Sequence, residues 1–429
     1  MIGVAPEDPA MYSSPDARIP EMRSVPRLIL AALVGMAFLA PPVVRAQSNA
    51  IPAQQTAPGW IFTPSVSFGG TWDDNVLLVN PGTNPPADYG SPITPAASVD
   101  YTGKFTRFSG GYAGSFVRYM TLDELNSLQQ SLRATVERKA NTRLTFFGQE
   151  SFTQAPTTDV LQLSGVPFYR IGSRSNVATG GVQVMLAKHT LVRSAYSLRT
   201  VDFDTNLLTA NQLQGGHAHD VMTTVEQALS RHFTVGGEYE FSHTIVNGQT
   251  SLLGAPGPED RFNMQTAIAT AQYQVAEGTT ISGGFGVAML GAGLTHEART
   301  GPEWRAGFSQ KTGRGVVLVS YQRSYIPSFG FGGTFQNQQW TTNLHMPLGR
   351  SRAYVDGGFS WLNNQPLDTD QPNLKTLWLH STVGYYLARW LSVEGFYGRT
   401  QQDSQRAGGQ LERNQIGFQV VAAKPMKLR

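Results

Sequence analysis

The sequence predicts an all-β fold: a closed antiparallel transmembrane β-barrel of about eighteen strands, with sixteen as the alternative count and no plug domain. Three observations predict it. One long segment alternates apolar and polar residues, the N-terminal region has the pattern of a secretion signal, and short turns alternate with long polar loops. No other apolar run approaches helix-spanning length, and a sheet in lipid must close because lipid cannot satisfy an open edge.

The segment 60–72 carries the clearest alternation. Every even position is apolar or Gly, and the odd positions are mostly small and polar, so the two sets face opposite sides of a strand. Trp60 and Trp72 share the apolar side. At about 3.3 Å per residue the strand spans roughly 40 Å, which at a tilt of about 40° rises roughly 30 Å. That rise suits an apolar band of about 25 Å with an aromatic girdle at each edge.

The N-terminal region predicts export. Arg23 and Arg27 precede the apolar run 28–40, and small residues at 44 and 46 follow it, so we expect signal-peptide cleavage after Ala46. The alternative, a transmembrane helix, fails on length because this run cannot cross about 30 Å as a helix.

These features define the predicted domains. Residues 1–46 form the signal peptide, with the true translation start expected at Met22. Residues 47–59 form a periplasmic linker that is too short for a folded plug, and residues 60–429 form the outer-membrane barrel.

The composition excludes several functional classes. The chain has no cysteine, which excludes disulfides, thiolate metal sites, cysteine nucleophiles and lipid attachment at cysteine. The formal net charge is only +3 with both signs mixed, and this argues against a nucleic-acid-binding protein.

Turn and loop signals divide the barrel region into strands. The predicted strands are 60–72, 97–108, 111–120, 127–138, 142–153, 173–186, 190–203, 218–229, 232–245, 261–274, 278–290, 298–310, 314–326, 331–346, 350–362, 373–387, 390–402 and 411–423. An even count places both termini in the periplasm, and the long loops 73–96, 154–172 and 246–260 are expected at the cell surface. Pro64 lacks an N–H for the ladder, so we expect a bulge or a slipped seam there.

Two short motifs in the segment 62–76 resemble a known family. Phe62-Thr63-Pro64-Ser65-Val66 and Trp72-Asp73-Asp74-Asn75-Val76 resemble the opening strand of an outer-membrane β-barrel porin family that is often linked to exopolysaccharide secretion loci. The resemblance covers residues 62–76. It implies an outer-membrane barrel and envelope polysaccharide traffic, and it identifies no cargo.

The C-terminus departs from the pattern that the outer-membrane assembly machinery commonly recognises. Such barrels usually end on an aromatic residue, whereas the last strand here stops before Lys424-Pro425 and the chain ends Met-Lys-Leu-Arg. Phe418 is the candidate replacement.

No residue pattern predicts a catalytic, cofactor or metal site. His217 and His219 point the same way in a strand, but two imidazoles are too few for a tight metal site. Asp73-Asp74-Asn75 offers oxygens to a hard cation, yet Asp and Asn more often initiate a turn by bonding their own backbone. His217, Asp73 and Asp220 are candidate parts of a barrel enzyme, but no local motif joins them.

Charged residues are predicted on the lumen face, because a charge facing lipid costs about 2–4 kcal/mol at mid-membrane. The candidates are Arg133, Glu137, Arg193, Arg199, Glu238, Glu240, Arg305, Asp356, Glu394 and Arg413. Opposed basic and acidic groups tune the selectivity of a pore. The alternative is that they brace the interior by ion pairing, and the sequence leaves both readings open.

These observations predict a protein of the bacterial cell outer membrane that is not an enzyme. The leading function is a porin-like channel for small solutes or a conduit for polysaccharide export. The alternative is a structural or adhesive barrel that binds partners through its surface loops. Expected partners are outer-membrane lipid, lipopolysaccharide, the assembly machinery and the cargo, with no nucleic acid and no cofactor.

Overall fold

The structure, a computed structural model, describes residues 59–204, 213–248, 257–294, 296–313, 315–349, 352–367, 371–404 and 409–428. The predicted signal peptide and most of the linker lie outside these residues. In the described ranges no helix is long and apolar enough to cross a membrane. The described residues form eighteen long strands and one short one. They are β1 Gly59–Asp73, β2 Asp88–Thr102, β3 Thr106–Tyr119, β4 Ser127–Lys139, β5 Leu144–Ala155, β6 Ser173–Ala187, β7 Thr190–Phe203, β8 Gly216–Ala228, β9 Phe233–Val246, β10 Asp260–Ala276, β11 Thr279–Leu290, β12 Arg299–Thr312, β13 Gly315–Pro327, β14 Thr334–Pro347, β15 Ala353–Pro366, β16 Leu374–Ala388, β17 Leu391–Ser404, β18 Gln410–Ala423 and β19 Met426–Leu428.

The sheet is closed. Each long strand pairs antiparallel with its neighbours in sequence, and β1 pairs with β18 to complete the ring. The short β19 continues the line of β18 along β1. This confirms the predicted closed antiparallel barrel of eighteen long strands.

The two faces of the strands differ as the alternation predicts. In β1, Trp60, Val66 and Phe68 are exposed on the outside, whereas Ser67 and Asp73 are buried on the inside. The other strands also carry large apolar side chains on the outer surface. A closed barrel with this apolar outer face is a protein of the bacterial outer membrane. Examples of these exposed side chains are Phe116, Leu132, Phe146, Val221, Tyr239, Phe285, Trp304, Trp340, Val383 and Ile416.

The seam between the first and last strands keeps its register past Pro64. Ser65 pairs with Ala423 and Phe62 with Met426, so the pairing register is the same on both sides of Pro64. The expected bulge or slip is therefore wrong. The gap between β18 and β19 lies opposite Pro64, where Lys424 N–H donates to the Pro64 carbonyl at 3.2 Å. The ladder is interrupted here because Pro64 and Pro425, which lies opposite Thr63, both lack an N–H.

The second strand starts earlier than predicted. It covers Asp88–Thr102 rather than 97–108, and a short turn at 103–105 leads into β3. Pro92 and Pro95 made this stretch look like a loop. Pairing with β1 on one side and β3 on the other holds it extended, which outweighs the local signal.

The connections differ between the two ends of the barrel. At the end where β1 finishes lie long loops such as 74–87, 156–172 and 247–259. At the other end lie short turns such as 188–189 and 277–278. Long loops outside and short turns in the periplasm is the pattern of outer-membrane barrels, so we assign the long-loop end to the cell surface.

This assignment predicts the result of a labelling experiment. Asn84→Cys lies in an exposed long loop and Lys188→Cys lies in an exposed short turn, in a chain with no other thiol. A membrane-impermeant maleimide added to intact cells should label position 84 and not position 188. Permeabilised cells, in which both sites should react, are the control. Labelling of position 188 alone would mean an inverted barrel.

Candidate functional site

The loop 156–172, which connects β5 to β6, folds into the barrel interior; we call it the inner loop. Thr158, Asp159, Val166 and Phe168 are buried within it. The expectation that all of 154–172 is exposed at the surface is therefore wrong. Its own hydrogen bonds keep it compact: Thr158 Oγ1 donates to Pro167 O at 2.7 Å, and Tyr169 N–H donates to Thr158 Oγ1 at 2.8 Å.

The inner loop reaches the opposite wall. Ser328 Oγ, directly after β13, donates to the Gly165 carbonyl at 3.3 Å. Gly165 has φ of +76°, and a Cβ there would meet the Phe335 ring at 2.9 Å, so both the backbone and the space require glycine. β14, which carries Phe335, stands nine strands from β5, halfway around the ring of eighteen long strands. The loop therefore crosses the lumen.

A buried ion cluster fixes the start of the inner loop. Arg413 on β18 donates from Nε to Asp73 Oδ2 at 2.9 Å and from Nη2 to the same oxygen at 2.5 Å. Its Nη1 donates to Asp159 Oδ2 at 2.7 Å. All three side chains are at most 7% exposed. One guanidinium thus joins the first strand, the last strand and the inner loop.

Side chains of the wall hold the rest of the loop. Gln402 on β17 donates from Nε2 to Val166 O at 3.1 Å and accepts from Phe168 N–H at 2.9 Å. The Phe168 ring packs on Trp378 with centroids 5.4 Å apart. Arg170 donates from Nη1 to the Val76 carbonyl at 3.0 Å. The wall therefore holds the loop by both hydrogen bonds and aromatic packing, and the loop is a packed element of the barrel interior.

A cavity of about 1000 Å³ lies under the inner loop, between β1–β4 and β16–β18. The cavity lining contains equal numbers of basic and acidic residues. Most of the others carry hydroxyl or amide groups. The basic ones are Arg133, Arg170, Arg389 and Arg413, and the acidic ones are Asp73, Asp100, Asp159 and Glu394. The hydroxyl and amide groups include those of Ser67, Thr71, Thr94, Ser98, Ser115, Gln129, Ser131, Thr135, Gln415 and Gln419.

The wall at β9–β12 is acidic. Arg305 forms ion pairs with Glu238, with Glu240 at 3.8 Å and with Glu303 at 2.8 Å. Three carboxylates therefore share one guanidinium, and this part of the lumen has a negative excess. Glu303 is almost fully buried, so its charge depends on Arg305.

The other candidates take different places. Arg133 and Glu394 line the cavity, and Glu394 accepts a hydrogen bond from Tyr354 Oη at 2.5 Å. Asp356 bonds His345 Nδ1 at 2.6 Å. The Arg193 guanidinium stands 4.2 Å from the Phe147 ring centroid. Arg199 lies on the same side of β7 as the buried Val201, beside the inner loop.

The residues considered as parts of a metal or catalytic site, the His217–Asp220 segment and Asp73, lie apart from each other in the barrel. His219 bonds the Tyr196 hydroxyl at 2.7 Å on the outer face, while Asp220, next in sequence, faces inward. Asp73 lies on β1, seven strands away from β8, and is paired there with Arg413. In the described part of the chain, no three His, Asp or Glu side chains are grouped to hold a metal.

Asp73 and Asn75 bond the local backbone, whereas Asp74 bonds the facing strand. Asp73 Oδ1 accepts from Asn75 N–H at 3.1 Å, and Asn75 Oδ1 accepts from Val79 N–H at 3.0 Å. Asn75 Nδ2 also donates to the Val79 carbonyl at 2.7 Å. Asp74 Oδ1 accepts from Asn414 N–H on β18 at 2.6 Å. The bonds of Asp73 and Asn75 are those that a turn initiator makes.

Sequence reasoning missed Asp159 and Glu303 as lumen residues. Asp159 lies in a segment that has no alternation, and its partner Arg413 is 254 residues away. Glu303 is on the inner face of β12, where an extended alternation count from Arg305 would have found it.

Comparison with solved structures finds outer-membrane receptors and porins, all at low sequence identity and with TM-scores below 0.5. The siderophore receptor PirA from Pseudomonas aeruginosa is 7% identical over 87% of this chain and 81% of that chain, with a TM-score of 0.44. OccAB2 from Acinetobacter baumannii is 10% identical over 86% and 98%, with a TM-score of 0.43. OpdQ from P. aeruginosa is 9% identical over 86% and 98%, with a TM-score of 0.40. No family model and no curated protein matches the chain.

The ion cluster predicts a large effect of one substitution. Arg413→Gln leaves Asp73 and Asp159 buried without their cation, which should cost about 3–5 kcal/mol of unfolding free energy. Arg193→Gln, which loses only a cation–π contact, should cost less than about 1 kcal/mol. Urea titration of the refolded protein in vesicles measures both. Equal stabilities would contradict a structural role for the cluster.

Proposed function

We propose that this protein is an outer-membrane diffusion channel for small, polar, mostly uncharged solutes. The observation that carries the proposal is the cavity under the inner loop, whose four basic and four acidic lining residues balance. A lining without net charge favours neither anions nor cations. The many hydroxyl and amide groups offer both donors and acceptors to a hydroxylated solute.

The inner loop is the proposed size filter. It crosses the lumen and is held by Arg413, Gln402 and Arg170. A small solute needs only the space beside the loop, whereas an extended polysaccharide would need the loop to leave. We therefore favour small solutes over polymer export. A surface scaffold remains the competing function, and it requires no permeation.

Liposome swelling tests the proposal directly. Vesicles containing the protein should swell in neutral monosaccharides and progressively more slowly in larger oligosaccharides of the same chemistry. Equal-sized singly charged sugar acids should enter more slowly, because the acidic wall around Arg305 opposes anions. A protein that folds but admits none of these solutes would support the scaffold instead.

The filter role of the loop predicts a difference between two matched variants. Asp159→Asn removes the loop's contact with Arg413 and leaves the Asp73–Arg413 pair in place. Single-channel current should become larger and noisier. Asp100→Asn changes a carboxylate in the same cavity that bonds Ser109 and does not touch the loop, so its current trace should match that of the wild type. Identical traces for all three proteins would remove the loop from the permeation path.

The lumen arginines predict a change in ion selectivity. Changing Arg193 and Arg199 to Gln removes positive charge from the lumen side of β7, two strands from the acidic β9–β12 wall. Reversal potential in a salt gradient should shift toward cations. Arg399→Gln on the outer face is the control and should leave selectivity unchanged. An unshifted double variant would mean that permeating ions do not pass β7.

A further inference from the structure

The barrel wall has a split at the surface end of β12 and β13. The two strands pair only from Trp304–Arg323 to Thr312–Gly315. Above the Trp304–Arg323 pair, residues 299–303 and 324–327 are all described and form no ladder with each other, although each stretch still pairs with its other neighbour. Backbone groups that would close this seam face the gap between the strands.

Arg323 stands at the apex of the split, on the lipid-facing side. It lies directly opposite Trp304, which is 45% exposed, and opposite Gln338. Below it Tyr321 stacks on Trp340 with centroids 4.7 Å apart. A groove of about 270 Å³ is lined by Trp304, Arg305, Ala306, Tyr321, Arg323 and Gln338.

The charge of Arg323 has no partner among the described residues. Its Nε is buried and makes no hydrogen bond, and no carboxylate forms an ion pair with it. The nearby carboxylates of β12 and β9 point into the lumen toward Arg305. Other outward-facing arginines near this rim are paired: Arg399 contacts Glu412 at 2.5 Å and Arg174 contacts Asp204 at 3.3 Å.

We propose that Arg323 and the split form a binding site for a phosphate group of lipopolysaccharide in the outer leaflet. A planar guanidinium matches a phosphate bidentately, and an unpaired cation on a lipid-facing surface is stabilised by an anionic headgroup. Backbone N–H groups at the split add donors to the phosphate oxygens. Trp304 and Trp340 offer apolar surface to the acyl chains beside it, at the depth where aromatic residues meet headgroups.

Lipid A binding in detergent micelles, followed by native mass spectrometry, tests the site. Arg323→Gln should weaken binding of bis-phosphorylated lipid A about tenfold, as expected for loss of a charge-assisted hydrogen-bonded pair. Arg399→Gln, at an outward arginine already paired with Glu412, should change it less than about twofold. Heat-modifiable migration on gels verifies that each variant is folded.

Two further arms keep the proposal falsifiable. Dephosphorylated lipid A should bind wild type about tenfold more weakly, and this arm needs no variant. Arg323→Lys keeps the charge and should retain part of the affinity if Arg323→Gln fails to fold. Equal affinity of wild type for the two lipids would overturn the proposal. So would competition by millimolar inorganic phosphate, which would indicate a site for the free anion.

Discussion

The ion pairs of the Arg413 guanidinium are the interactions on which the interior of this barrel depends. It is buried between the first strand, the last strand and the inner loop, where it bonds Asp73 and Asp159. A buried cation of this kind is tolerated only when its partners are in place. Closure of the sheet and placement of the loop are therefore coupled at one residue.

The same coupling accounts for the shape of the lumen. With its start fixed at Asp159, the inner loop reaches across to Ser328 and Phe335 and leaves the cavity beneath it on the β1–β4 and β16–β18 side. Charge is distributed unequally around the ring. The cavity side is balanced, and the β9–β12 side has three carboxylates around Arg305. The barrel thus has a neutral compartment facing an acidic wall.

The strands and their faces were predictable because alternation is a local signal. β7, at Thr190–Phe203, matches its predicted bounds, and Trp60 to Trp72 identified the lipid face. Features set by distant contacts were not predictable. Pro92 and Pro95 look like loop residues until β1 and β3 hold them on both sides. The inner loop contains apolar residues such as Leu163, Val166 and Phe168, which are compatible with burial, but its sequence does not identify Arg413, 254 residues from Asp159, as the partner.

The most direct test of this account is the position of the inner loop in a lipid bilayer. Spin labels at Ser164, in the loop, and at Leu294, in an exposed loop of the rim, allow pulsed electron paramagnetic resonance to measure the distance between them. A loop packed across the lumen predicts one narrow distance distribution, which broadens when Asp159 is changed to Asn. A broad distribution in the unchanged background, with no effect of that substitution, would contradict the account.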